Sequence, residues 1–221
     1  MEQVKLTRRS FVAGATAAGA LAALSLTGCG GGSSEKKDDG AKSDDGAKGG
    51  TLTGACAYSS TNVNPIGNSS ALMLAATWHV FEGLYDLDLH TYKTYNALAA
   101  DKPTKISDTE YEVALRDGAK FSDGNEVTAD DVVNAINQNM ADATYGAFLE
   151  FIKSVEAKDA KTVSIKLKYA FEALLETRLS VVKVFPKSLS EDELKTNPIG
   201  SGPWMYKSIN GDDGGAIEFE P

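Results

Sequence analysis

One cysteine of the sequence stands where covalent chemistry is expected. Cys29 follows Leu26-Thr27-Gly28 at the end of an uncharged, apolar segment, and these four residues are similar to a lipobox, the site at which lipoprotein precursors are processed. A thiolate is the nucleophile that takes the lipid, and the small Gly28 suits cleavage just before it. The pattern therefore predicts that residues 1–28 are a cleavable signal peptide and that Cys29 is the lipidated first residue of the mature protein.

The segment before that cysteine has the composition of an export signal. Lys5, Arg8 and Arg9 give a positive start, and Val12–Leu26 is apolar and rich in Ala and Gly. A helix of that length reaches roughly 22 Å, short of the ~30 Å hydrocarbon core, so a signal is favoured over a membrane span. Thr7–Val12 is similar to the twin-arginine export motif, with ordinary Sec export as the alternative.

Residues 29–50 are predicted to be the lipidated cysteine and a flexible linker. Gly30–Gly50 contains no apolar residue larger than Ala, and Asp-Asp-Gly-Ala-Lys occurs in it twice. Ordering such a segment would lose backbone entropy without burying apolar surface, and its r.m.s. span would be roughly 25 Å. Because several acyl chains hold a protein stably at a bilayer, we expect an extracytoplasmic protein anchored to the cell membrane through Cys29.

The histidine spacing, the motifs and the net charge of the sequence disfavour catalysis, metal binding and nucleic-acid binding. His79 and His90 are not at a metal-ligand spacing, and the sequence has no phosphate loop, zinc motif or nucleophile elbow. Removing the signal takes the formal net charge from −9 to −11, which disfavours phosphate backbones. An exported peptidase would need a nucleophile beside a base, so we expect a binding protein without a cofactor and not an enzyme.

From Thr51 onward, short apolar runs separated by turn residues predict a mixed α/β domain. Thr128 is predicted to cap a helix whose inner face carries Val132, Val133 and Ile136. The predicted helices are Ala71–Tyr85, Ala129–Met140 and Phe171–Leu179. The predicted strands are Leu52–Tyr58, Glu110–Leu115, Val155–Ala157, Thr162–Leu167 and Val181–Phe185.

Five segments in order resemble the extracellular solute-binding proteins of family 5. They are residues 81–86 (FEGLYD), 111–124 (YEVALRDGAKFSDG), 127–133 (VTADDVV), 185–187 (FPK) and 197–204 (NPIGSGPW). The resemblance implies an α/β fold, the first lobe of a two-lobed, type II periplasmic-binding-protein-like fold. It also implies an inserted α/β subdomain at residues 88–195, between a first segment at 51–87 and a return segment at 196–221.

The same resemblance implies a function. Family members bind oligopeptides, dipeptides or nickel chelates and deliver them to the membrane permease subunits of ABC importers, so we expect a monomeric peptide receptor. Family members are much longer, and the second lobe is absent from this sequence. The chain is therefore interpreted as an N-terminal fragment, with a truncated surface lipoprotein without transport activity and a receptor for a metal chelate such as nickel as alternatives.

A ligand-facing wall is predicted after the first strand. Open α/β sheets place ligands at the carboxyl ends of their strands, and the loop Ser59–Asn64 follows such an end before the rigid Pro65. Its hydroxyl and amide groups could bind a peptide backbone without reading the side chains. Trp204 could add an apolar wall, although a core position is an alternative for it. The predicted ligand-binding residues are Ser60, Thr61, Asn62 and Trp204.

Overall fold

The computed structural model describes residues 51–54, 62–67, 70–210 and 216–221. The predicted signal peptide, Cys29 and the predicted linker lie outside the described residues, as do Ser60, Thr61 and most of the predicted first strand. Within the described ranges, no helix is long and apolar enough to cross a membrane.

The described residues form an α/β fold, as predicted. Its helices are α1 (Ala71–Val80), α2 (Ala129–Ala141), α3 (Leu175–Leu179) and α4 (Glu191–Thr196), with short 3-10 helices at Gly146–Phe148 and Glu172–Leu174. Its strands are β1 (Tyr85–Leu87), β2 (Thr94–Asn96), β3 (Thr104–Ser107), β4 (Glu110–Ala114), β5 (Ile152–Asp159), β6 (Thr162–Leu167), β7 (Met205–Asn210) and β8 (Ala216–Glu220).

Three antiparallel sheets carry these strands. The largest has the order β3-β4-β6-β5, and β1-β2 and β7-β8 each form a pair. In β6, Val163, Ile165 and Leu167 alternate with more exposed residues and are buried, as the sequence pattern predicted. They belong to the same core as Val132 and Ile136 of α2. The predicted hairpin and the predicted inner face of the helix therefore meet in one core, to which Val133 contributes as a partly buried residue.

The second helix begins where its cap was predicted. The hydroxyl of Thr128 accepts from the backbone N–H of Asp131, and the Asp131 carboxylate accepts from the backbone N–H of Thr128. This reciprocal pair satisfies donors that a helix start leaves without intrahelical partners. The cap fixes the position of the helix against the sheet.

The first helix ends five residues earlier than predicted, at Val80 instead of Tyr85. Its last carbonyl groups are taken by a distant part of the chain: the backbone N–H of Gly202 donates to Val80 O at 2.9 Å, and that of Trp204 donates to His79 O at 3.1 Å. Phe81 is already extended, and Tyr85 begins β1. The prediction was wrong because the apolar pattern of the sequence continues past Val80. The sequence pattern does not show that Gly202 and Trp204 bind the carbonyl groups at the end of the helix.

Two further predictions need correction. Val181–Phe185 was predicted as a strand, but it is a mostly buried segment without regular secondary structure, outside the sheets of the described chain. Val184 N–H donates to Glu82 O, and Pro186 has no N–H to continue a ladder. Phe171–Leu179 was predicted as one helix, but its first turn, Glu172–Leu174, is a 3-10 helix that precedes α3.

The main core is continuous across the predicted segment boundaries. Phe81 and Tyr85 of the predicted first segment share it with residues from Leu98 to Leu194 of the predicted insertion. A smaller cluster joins Val63 and Met73 to partly buried side chains of β7 and β8. The division into residues 51–87, 88–195 and 196–221 stays a prediction.

Candidate functional site

An aromatic pocket of about 330 Å³ lies beside α1 and the β1-β2 pair. Among the described residues, four aromatic side chains line it, together with Pro65 at the end of the predicted ligand loop and one charged pair. This volume is at the lower end of the range for small-molecule sites, and aromatic walls with few polar groups are typical of such sites. The aromatic residues are Trp78, Tyr95, Tyr145 and Phe148.

A second depression is larger and more open. It measures about 600 Å³ and is lined mainly by polar residues, including Asn125, Asp130 and Lys187. The exposed ion pair of Lys187 with Asp130 lies in it, and Phe121 is the only aromatic side chain that the described residues contribute to its lining. We regard the aromatic pocket as the candidate site because it combines enclosure, apolar walls and a buried charge pair.

The charged pair in the aromatic pocket is formed by Asp86 and Lys183. Both residues are buried, with 9% of Asp86 and 5% of Lys183 exposed, and the ammonium group donates to Asp86 Oδ1. Asp86 Oδ2 also accepts from the backbone N–H of Gly83 at 3.3 Å. The Lys183 ammonium lies 5.7 Å from the centroid of the Trp78 ring, within range of a cation–π interaction. The pair gives a mainly apolar pocket a charged region.

Both tyrosines of the pocket keep their phenol protons at neutral pH. Burial, followed by the carboxylates of Asp86, Glu82 and Asp88, raises the pKa of Tyr95. Burial and the Asp142 carboxylate likewise raise the pKa of Tyr145. The Tyr95 phenol can therefore donate a hydrogen bond, which is what a carbonyl or carboxylate oxygen of a ligand requires.

A tight turn after α2 positions Tyr145 and Phe148. The carboxylate of Asp142 accepts from the backbone N–H groups of Thr144 and Tyr145, both at 2.8 Å. Gly146 follows, and a Cβ at this position would lie only 2.7 Å from Met140 O, so the turn packs closely on the helix end. These local contacts fix two of the four aromatic walls.

The described end of the predicted ligand loop leads to this pocket, whereas Ser60 and Thr61 lie outside the described residues. Asn62 Oδ1 accepts from Asn64 N at 3.1 Å, and Asn64 Oδ1 accepts from Ile66 N at 3.0 Å, so two successive side-chain turns lead the loop to Pro65 in the pocket wall. Trp204 has 41% of its surface exposed and is not among the lining residues. The ligand-binding roles of Ser60, Thr61, Asn62 and Trp204 stay predictions.

Sequence reasoning missed the residues that line the pocket. Trp78 falls within an apolar helical run and was not distinguished from core residues. Asp86 and Lys183 are 97 positions apart in the sequence, so no local sequence pattern predicts that they form a pair. Within the described part of the chain, no three His, Cys, Asp or Glu side chains are grouped so that they could hold a metal ion.

Comparisons with known proteins place the chain in a family. The sequence profile of the bacterial extracellular solute-binding proteins, family 5 Middle, matches residues 93–220. The oligopeptide-binding protein AppA of Bacillus subtilis is 36% identical over 110 residues, which are 44% of this chain and 20% of AppA. The glutathione-binding protein GsiB of Escherichia coli is 27% identical over 180 residues, covering 73% of this chain and 35% of GsiB.

Solved structures agree with the sequence comparison. AppA in complex with a nonapeptide aligns with a TM-score of 0.61 and 27% identity, covering 70% of this chain and 33% of AppA. NikZ of Campylobacter jejuni in complex with Ni(L-His) aligns with a TM-score of 0.56 and 25% identity, covering 69% of this chain and 32% of NikZ. The chain thus spans about a third of the length of these structures and corresponds to one lobe of their fold, as predicted. It belongs to the bacterial extracellular solute-binding proteins of family 5.

Proposed function

We propose that this chain is part of the extracytoplasmic substrate-binding component of an ABC importer, and that its ligand is an oligopeptide or dipeptide. The aromatic pocket around the buried Asp86–Lys183 pair is the observation that carries the proposal. Membership of family 5 supports it, and so do the names of the relatives AppA and GsiB, which bind oligopeptides and glutathione.

In this proposal, an apolar peptide side chain lies between the aromatic rings. Burying such a side chain contributes about 1.5–3 kcal/mol, while the phenol group of Tyr95 can donate to a backbone carbonyl group. The pocket supplies one wall, and a second lobe in a longer form of the protein would close over the ligand, as in other two-lobed receptors. In this proposal the receptor is a monomer and presents the bound peptide to the membrane permease subunits of the importer.

We further propose that the receptor is held at the cell membrane. Export through the signal at residues 1–28, lipidation of Cys29 and the linker up to residue 50 would keep the lobe outside the cytoplasm and near the permease. Metabolic lipid labelling of the wild type should be positive and should disappear in Cys29→Ala. A wild type without label would contradict the anchor.

A nickel chelate is the second candidate ligand, because NikZ with Ni(L-His) is among the structures that this lobe resembles. A chelate brings its own metal ligands, so the receptor need not supply a metal site. Titration with nickel and histidine together, compared with titration by peptides, separates the two candidates. A truncated surface lipoprotein without transport activity would bind neither.

The two tryptophans of the chain provide a matched test of the pocket. Trp78 lines it and Trp204 does not, although their exposed fractions are similar, at 38% and 41%. In calorimetric titrations of the purified chain with mixed apolar dipeptides, Trp78→Ala should weaken binding about tenfold or more, and Trp204→Ala should change it less than about twofold. The reverse result would move the site to the wall predicted from the sequence.

A further inference from the structure

Two parts of the aromatic pocket come from segments that are distant in the sequence. The loop at residues 62–67 contributes Pro65, and the turn at residues 142–148 contributes Tyr145 and Phe148. The position of one segment relative to the other helps to set the space that a ligand group can occupy. The contacts that join the loop to the turn therefore bear on which ligands the pocket accepts.

Gly67 of the loop is in close contact with the turn. The hydroxyl group of Thr144 donates to Gly67 O at 3.4 Å. The Asp142 carboxylate lies so near to Gly67 that an added Cβ would be only 2.6 Å from Asp142 Oδ2. We call this contact of Gly67 with Asp142 and Thr144 the clasp. The two segments approach this closely because residue 67 has no side chain.

The Asp142 carboxylate cannot move aside without affecting the pocket wall. Its other oxygen, Oδ1, accepts from the backbone N–H groups of Thr144 and Tyr145, both at 2.8 Å. Hydrogen bonds of this length to a charged group are among the stronger ones in proteins. Rotation of the carboxylate would break both bonds, and a shift that keeps both bonds would move Tyr145 with it. A displacement at Gly67 is therefore transmitted to the aromatic wall.

The loop side of the clasp is fixed as well. The side-chain oxygens of Asn62 and Asn64 each accept from a backbone N–H group two residues further on. Asn64 and Pro65 are buried, and Gly67 has a φ of +71°, in the left-handed region that favours glycine. An added methyl group at residue 67 is therefore accommodated only if the loop and the turn move apart.

We propose that Gly67 and Asp142 are positioning residues that set the width of the aromatic pocket and so select the size of the apolar group that binds there. Separation of the loop from the turn would then shift the preference of the pocket toward larger groups. For peptides this inference rests on the proposed function, whereas for free apolar side-chain analogues it does not.

Two pairs of probes measure the preference for size. The dipeptides Leu-Phe and Leu-Trp are compared by calorimetry, and toluene and 3-methylindole, which correspond to the two side chains alone, are compared by NMR titration of the purified full chain. The ratio of the two dissociation constants in each pair is the readout, because partial unfolding would weaken both probes by the same factor. Gly67→Ala should shift this ratio about fivefold or more toward the larger probe.

Matched variants separate the clasp from backbone strain. Gly118 has nearly the same φ, +69°, but a Cβ there would meet no described atom within 4 Å, so Gly118→Ala should keep the ratio within about twofold of the wild type. Asp142→Asn retains an oxygen that accepts from both N–H groups and should also keep the ratio. Asp142→Ala removes that acceptor and should shift the ratio as Gly67→Ala does, which tests the clasp even where the glycine variant folds poorly.

The outcomes assign failure to one claim or the other. A ratio within about twofold of the wild type in folded Gly67→Ala or Asp142→Ala, or an equal shift in Gly118→Ala, would overturn the inference while peptide binding still supports the proposed function. The expected shift with toluene and 3-methylindole, without binding of either dipeptide, would support the clasp and contradict the proposed peptide ligand. Absence of binding by all four probes would overturn both.

Discussion

Lys183→Met tests the energetic role of the buried pair in the aromatic pocket. The side chains of Lys183 and Asp86 are only 6% and 13% exposed, so removal of the ammonium leaves a carboxylate buried with one remaining backbone donor, Gly83 N–H. Breaking a buried pair from one side costs about 3–5 kcal/mol, a large share of the total stability of a domain. In urea at pH 7, an m-value of about 2 kcal/mol/M converts this into a midpoint lowered by about 2 M.

Two comparisons show whether burial is the cause. Asp86→Leu combined with Lys183→Met removes both charges and should recover most of the lost stability, because a well-packed apolar pair often replaces a buried ion pair without loss. Lys187→Met breaks an exposed pair with Asp130, whose side chains are 54% and 56% exposed, and should leave the midpoint unchanged. A Lys183→Met midpoint equal to that of the wild type would refute the assignment of Asp86–Lys183 as a buried, coupled pair.

Two further predictions concern local structure. Gly83→Ala should lower the free energy of unfolding by about 1–3 kcal/mol, because its Cβ would lie 2.8 Å from two backbone carbonyl oxygens, whereas Gly54→Ala, which meets no atom within 4 Å, should not; equal urea midpoints would contradict this. Hydrogen bonds from the backbone and side chain of Ser190 lower the pKa of Glu193. That contribution to stability is present above the unfolded-state pKa and is lost as the pH falls through the lower folded-state pKa. Ser190→Ala should raise the Glu193 pKa in an NMR titration, and an unchanged pKa would contradict the cap.

Local sequence patterns were sufficient to predict the elements that are formed by residues close together in the sequence. Thr128 and Asp131 are three residues apart and form the predicted cap, and β5 and β6 are joined by a short turn. In such elements the turn chemistry and the apolar period act within one window of sequence, so composition and spacing contain the information. The predicted family and the single-lobe α/β fold are confirmed for the same reason, because their motifs are contiguous.

Distant contacts explain what sequence reasoning could not supply. The end of α1 depends on Gly202 and Trp204, whose N–H groups take its last carbonyls. The pocket depends on Asp86 and Lys183, which come together from separate segments. Pro65, which follows the predicted ligand loop, lines the pocket, but a loop position does not reveal which distant helix and turn lie opposite it.

The central claim is that ligand binds in the aromatic pocket, and single-tryptophan fluorescence tests it most directly. Trp204→Phe leaves Trp78 as the reporter within the pocket, and Trp78→Phe leaves Trp204 as the reporter outside it. Titration with Leu-Phe should change the emission of the Trp78 reporter in a saturable way, with the affinity found by calorimetry, and should leave the Trp204 reporter unchanged. A saturable change at Trp204 with none at Trp78 would contradict the account.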